Sequence, residues 1–220
     1  MLRDPSFAAH RWAMAEVKIC GLTTVEDALR CIEAGADVIG LNFWPRSPRS
    51  TDVATAKAIV AALGDRVEVV GVFVDFDVAQ IREILAETGI GWAQLHGDET
   101  PKQVGELLPW AYKAIGVKDD SAIEVARTYP GEHLLLDASV PGLPGGTGRT
   151  FNWAVAVGVA RERKLTLAGG LTPKNVAEAI ETVNPFRVDV ASGVESEPGR
   201  KDPGLVRAFI EAAKAAFSAC

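Results

Sequence analysis

The sequence is poor in the residues that build disulfide-linked, metal-bound or membrane-embedded proteins. Three cysteines stand among 220 residues, an odd number with no close pair. That excludes a disulfide framework and a thiolate metal site, and leaves free thiols suited to a reducing compartment. Histidine is as scarce, three in all, and no His, Cys and carboxylate grouping has metal-ligand spacing. Apolar runs such as 67–74 end far short of the ~20 residues that cross a bilayer, and the N-terminus lacks the apolar stretch of a secretory signal. Positive charge is also short: 23 Lys and Arg against 29 Asp and Glu leave a net charge of −6. A phosphate backbone would meet no cationic face. The expectation is a soluble, cytoplasmic protein with no membrane or nucleic-acid partner and no metal.

What is present is ordinary globular material, 48% apolar and 24% charged. Residues 1–15 hold no sustained period and read as an N-terminal extension, followed by a single domain over 16–220. From Val17 onward, short β-rich runs alternate with amphipathic stretches of helical length. Strands are predicted near 17–20, 38–43, 67–74, 92–96, 112–116, 133–137, 164–168 and 186–191. Thr24 and Thr172, the latter followed by Pro173, mark helix starts, while Gly35 and Gly89 sit where helices end.

Alternating βα units imply a parallel sheet covered by helices, and eight of them fit an α/β fold of the (β/α)8 TIM-barrel type, with an open doubly wound sheet as the rival. Position decides for the barrel. Cys20, Asn42, Asp75, His96, Gly116, Asp137, Gly169 and Ser192 all fall at or just past strand C-termini, whereas an open sheet gathers its ligand groups at one crevice.

Three late loops are rich in glycine: SVPGLPGGTGRTFNW, AGGLTP and ASGVESEPG. Glycine lets backbone N–H groups approach an anion, and loops after the seventh and eighth strands of a barrel are common phosphate sites. Gly170, Ser192, Gly193 and Val194 are the phosphate candidates, with Gly146 to Gly148 closing over them; the alternative is that each glycine only supports a turn. Neither a dinucleotide fingerprint nor a triphosphate loop is present, so a small phosphorylated metabolite is the expected partner.

Strand alternation puts Lys18 and Cys20 on one face and points Cys20 into the barrel mouth, as a reactive thiol or an inert small hydrophobe. Asp137 ends the apolar run LLLD, where poor solvation favours a protonated, acid-donating carboxyl; the alternative is a cap for the next loop. Together they form a candidate base and acid above a phosphate site, a pair that needs no cofactor if only protons move. His96 either meets substrate or is structural. Arg49, in NFWPRSPRS, either forks onto a substrate carboxylate or lies in a solvated loop, the latter being the reading for Arg46. Asp189 either meets a sugar hydroxyl or pairs with Lys18.

The ordered segments VKICGLTTVEDA, GLNFWPRSPR, VGVFVD, QLHGDE, LLLD with GGTGRTFNW, LAGGLTPKNV and VDVASGVE with PGRKD resemble phosphoribosylanthranilate isomerase of tryptophan biosynthesis over residues 17–215. The resemblance implies a (β/α)8 barrel that carries out a cofactor-free Amadori rearrangement of N-(5-phosphoribosyl)anthranilate. It implies that Cys20 is the general base, Asp137 the general acid and Arg49 the ligand of the anthranilate carboxylate. Asp189 would lie near the ribose hydroxyls, and the phosphate loops would fall on 146–148, 169–170 and 192–194. Ala168 and Ala191 depart from it, standing where serines are often seen. Cys20 would need help in ionising from Lys18, from a helix terminus or from the cationic Schiff base of the substrate. The rivals are an aminoaldose isomerase working with two aspartates, and a sugar-phosphate sensor without turnover. The chain is expected as a monomer or homodimer.

Overall fold

The computed structural model describes residues 16–117, 119, 121–138 and 153–220. The extension at 1–15 and the loop glycines Gly146 and Gly148 lie outside the described residues. Eight parallel strands close into a barrel in chain order: β1 (Glu16–Cys20), β2 (Val38–Asn42), β3 (Glu68–Phe73), β4 (Trp92–Leu95), β5 (Ala111–Val117), β6 (His133–Ala138), β7 (Lys164–Leu167) and β8 (Arg187–Val190). Closure is made by β8 against β1, with Val17 opposite Val188 and Lys18 opposite Asp189. The open-sheet rival is therefore excluded.

The helices are α1 (Val25–Glu33), α2 (Val53–Leu63), α3 (Val78–Thr88), α4 (Pro101–Leu107), α5 (Ala122–Thr128), α6 (Ala154–Glu162), α7 (Val176–Val183) and α8 (Pro203–Ala219). No helix among the described residues is long and apolar enough to cross a membrane.

Strand alternation builds two cores. One face of each strand, for example Val17 and Ile19, Leu134 and Leu136, or Val188 and Val190, packs with helix residues such as Ile59, Ile180 and Phe209. The other face fills the barrel interior, where Val38, Val70, Tyr112, Ala114, Leu135 and Ala168 form their own cluster. Burying strands on both faces is what parallel barrels require, and it explains their near-continuous apolar runs.

Helix starts follow local chemistry. Thr24, Asp52, Asp77, Thr100 and Asp202 each accept a hydrogen bond from the backbone N–H three residues on. Gly89 ends α3 with φ 76, the left-handed region that glycine enters without penalty. One predicted start is corrected: α7 begins at Val176, not at Pro173. The Asn175 side chain accepts from the Thr172 N–H at 2.8 Å and donates to the Gly170 carbonyl at 3.0 Å, so residues 172–175 form a turn before the helix.

A small antiparallel hairpin, β9 (Glu195–Glu197) and β10 (Arg200–Lys201), follows β8 and was not anticipated. Gly199 turns it with φ 86, and its carbonyl accepts from the Thr23 hydroxyl at 2.8 Å. This ties the hairpin to the loop after β1.

Candidate active site

Cys20 ends β1, opposite Gly40 of β2. A side chain at Gly40 would come within 2.7 Å of the Cys20 sulfur, so glycine there makes room for the thiol. Burial pushes this thiol up, while the Lys18 ammonium pulls it down without cancelling the effect. The expected help from Lys18 is thus real but insufficient alone, because the half-buried sulfur loses more hydration than one cation returns.

Asp137 stands on β6 opposite Gly116 of β5, and is 4% exposed. One oxygen, Oδ2, lies 3.3 Å from His96 Nε2. The other, Oδ1, has no hydrogen-bond partner among the described residues and lies against Gly169, where an added Cβ would be 2.6 Å from it. His96, one residue past β4, therefore contacts the candidate acid itself.

Beneath these groups runs a buried polar chain. Lys18 is fully buried, and its Nζ lies 2.9 Å from Asp189 Oδ2 and 3.1 Å from Gln94 Oε1. The same Gln94 oxygen accepts from the Tyr112 hydroxyl at 3.1 Å, and Gln94 Nε2 lies 2.9 Å from His96 Nδ1. Burial works against the Lys18 charge, but the Asp189 carboxylate, through its charge and its hydrogen bond, outweighs it and holds the ammonium protonated. Of the two readings of Asp189, pairing with Lys18 is observed; its Oδ1 has no partner among the described residues.

Arg49 is not solvated. It is 14% exposed, and its Nε and one terminal nitrogen each donate to Glu195 at 2.8 Å. Lys201 Nζ reaches Glu195 at 2.9 Å and the Ala191 carbonyl at 3.0 Å. Burial would raise the Glu195 carboxyl, but the hydrogen bond from Arg49 and the charge of Lys201 hold it below its ordinary value. Arg46 is exposed over the Trp44 ring, in line with the surface reading.

Sequence reasoning missed Gln94, Glu195 and Lys201. Gln94 carried a usable signal, since it lies two residues before His96 and so shares its face. The other two sit in ESEPGRK, just beyond the Ser192–Val194 turn on which the sequence reading rested.

The glycine-rich turns after β7 and β8 meet at one place. Gly169 and Gly170 adopt φ 90 and 66. Gly193, in the 3-10 turn Ser192–Val194, packs so closely on the Leu171 carbonyl that any side chain would collide with it. The Val194 side chain is fully buried, so the backbone of this turn is what it can offer an anion. Among the described residues no group of three or more His, Cys, Asp or Glu could hold a metal ion.

A thiol, a carboxyl, a guanidinium paired with Glu195 and two glycine-rich turns thus lie at the C-terminal end of one barrel. The sequence matches, over residues 17–212, the family model described as N-(5'-phosphoribosyl)anthranilate (PRA) isomerase. The chain belongs to the PRA isomerase family. It is 46% identical over 202 residues to the isomerase of Geobacter metallireducens, covering 92% of this chain and all of that one. The crystal structure of the Thermotoga maritima isomerase superposes with a TM-score of 0.85 at 40% identity, over 92% of this chain and 100% of that one. A phosphoribosyl anthranilate isomerase solved with reduced 1-(o-carboxyphenylamino)-1-deoxyribulose 5-phosphate gives a TM-score of 0.81 at 37% identity, with the same coverage. As a PRA isomerase family member, the barrel is an isomerase of tryptophan biosynthesis.

Proposed function

We propose that this barrel converts N-(5-phosphoribosyl)anthranilate into 1-(2-carboxyphenylamino)-1-deoxyribulose 5-phosphate, with Asp137 as the acid and Cys20 as the base. The observation that carries the assignment is the placement of that carboxyl and that thiol at the same end of one closed barrel, on β6 and β1, beside the turns after β7 and β8. Asp137 gives a proton to the furanose ring oxygen as the C1–O bond breaks, and the anilino nitrogen pushes its lone pair toward C1 to form a cationic Schiff base. The Cys20 thiolate then takes the C2 proton. The freed pair neutralises the Schiff base to an enolamine, which gains a proton at C1 and loses one from the C2 hydroxyl to become the ketone. The substrate's own cation supplies the ionising help that a buried thiol lacks. Only protons move, so no cofactor is assigned.

Arg49 uses the guanidinium edge not held by Glu195 for the anthranilate carboxylate, and Asp189 faces a ribose hydroxyl through Oδ1. The backbones of Gly169 and Gly170 and of Ser192, Gly193 and Val194 bind the phosphate. His96 supports Asp137. The protein acts in the cytoplasm as a monomer or homodimer. Strand β1 ending in cysteine disfavours an isomerase that works with two aspartates.

The test generates phosphoribosylanthranilate in situ and follows its fluorescence. The protein should accelerate the decay, and Cys20→Ala and Asp137→Ala should each lower kcat by about 10²- to 10⁴-fold with little change in KM. Binding without decay would favour a sensor, and wild-type turnover by either variant would remove that residue from the mechanism.

A further inference from the structure

We propose that Gln94 is a positioning residue: it fixes the tautomer of His96, and through it decides which oxygen of Asp137 carries the transferable proton. The inference rests on the assignment of Asp137 as the acid. The argument is one of hydrogen-bond direction. The Lys18 ammonium can only donate, so the Gln94 atom 3.1 Å from it must be the carbonyl oxygen. That oxygen also accepts from the Tyr112 hydroxyl, which uses both of its lone pairs. The amide nitrogen therefore faces His96, and being a donor it requires Nδ1, 2.9 Å away, to be the accepting ring nitrogen. The ring hydrogen is left on Nε2, the nitrogen that lies 3.3 Å from Asp137 Oδ2.

A neutral carboxyl accepts best at its carbonyl oxygen, so a donor at Nε2 favours Oδ2 in that role. The acid proton is thereby assigned to Oδ1, the oxygen beside Gly169 that has no partner among the described residues. The reverse arrangement would turn the Gln94 amide hydrogens toward the Lys18 ammonium, donor against donor, in the fully buried barrel interior. Among the described residues, the charged groups linked to His96 are Asp137 from β6 and, through Gln94, Lys18 from β1 with its partner Asp189 from β8. One amide thus joins the cation beneath the base to the imidazole beside the acid.

Nitrogen-15 spectra of histidine-labelled protein read the tautomer directly, and with three histidines in the chain the His96 signals are those lost in His96→Gln. The expected result in the wild type at pH 7 is a hydrogen on Nε2 and none on Nδ1. A protonated Nδ1 would overturn the proposal without any variant being needed. Gln94→Met should shift the His96 signals and lower kcat by about tenfold or more while KM stays within about threefold. His96→Gln, whose amide can replace the Nε2–H donor, should retain more activity than His96→Leu. Unchanged kcat in Gln94→Met, or equal activity in the two His96 variants, would overturn it. Wild-type turnover by Asp137→Asn would instead overturn the acid assignment, and is read separately from the spectrum.

Discussion

Arg49 and Glu195, 146 positions apart in sequence, meet edge to edge, with Nε and one terminal nitrogen of the guanidinium each 2.8 Å from one carboxylate oxygen. A fork held in this way has little rotational freedom, and its free edge is presented in one orientation. Glu195 is therefore expected to act on carboxylate binding through Arg49. Glu195→Gln should raise KM about tenfold, with kcat within about threefold. Arg49→Ala should raise KM further, and adding Glu195→Gln to it should change little more. Steady-state kinetics of the two single variants and the double variant decide the matter; independent, additive losses would break the link.

The same carboxylate sets a pH dependence. Glu195 is held below its ordinary value of 4.5 in the folded chain, once the contributions of Arg49 and Lys201 outweigh burial. A depressed folded value means that the unfolded chain binds the proton more readily. The stabilisation is then complete above the ordinary value and is lost as pH falls through the lower folded one. Urea midpoints measured from about pH 6 down to about pH 3 should fall more steeply in the wild type than in Glu195→Gln. Parallel curves would count against it.

Most of the barrel was legible from strand alternation, because a sheet buried on both faces leaves long apolar runs punctuated by helix caps. The ends of those strands also announced Cys20, Asp137, His96 and the glycine turns. What stayed hidden was part of the partnership. That Lys18 pairs with Asp189 was one of two readings the strand pattern left open and depends on closure of β8 onto β1, whereas that Glu195 binds Arg49 depends on a hairpin whose strands are only three and two residues long. Charged residues in such a short segment look solvated until the fold supplies a cation. The start of α7 was misread for a related reason, since the Asn175 side chain competes locally with the helix that Pro173 could have begun.

Lys18 and Asp189 make a pair whose two halves are not equivalent to remove. Lys18 is fully buried and Asp189 nearly so, at 7% exposure. Asp189→Leu strands an ammonium with Gln94 as its remaining neutral acceptor and should cost about 3–5 kcal/mol of stability. Changing both, as Lys18→Met with Asp189→Leu, removes the stranded charge and should recover most of that loss, though not the activity. Chemical denaturation of the wild type and the two variants tests this. A double variant no more stable than Asp189→Leu would show that the pair is not the source of the penalty.

Gly193 links the turns after β7 and β8 by what it lacks. A Cβ there would collide with the Leu171 carbonyl and stand 3.1 Å from Val190 Cγ2, so an alanine must push the turn after β8 away from the turn after β7. The glycine has no positive φ, and the effect is therefore contact rather than backbone strain. If both turns hold one phosphate, Gly193→Ala should weaken inhibition by inorganic phosphate about tenfold, and raise KM to match. The overpacking should also cost about 1–3 kcal/mol of stability. Gly91→Ala is the control, because nothing lies within 4 Å of an added Cβ there. Phosphate competition unchanged in Gly193→Ala but with the stability loss present would mean that the two turns touch without sharing the anion.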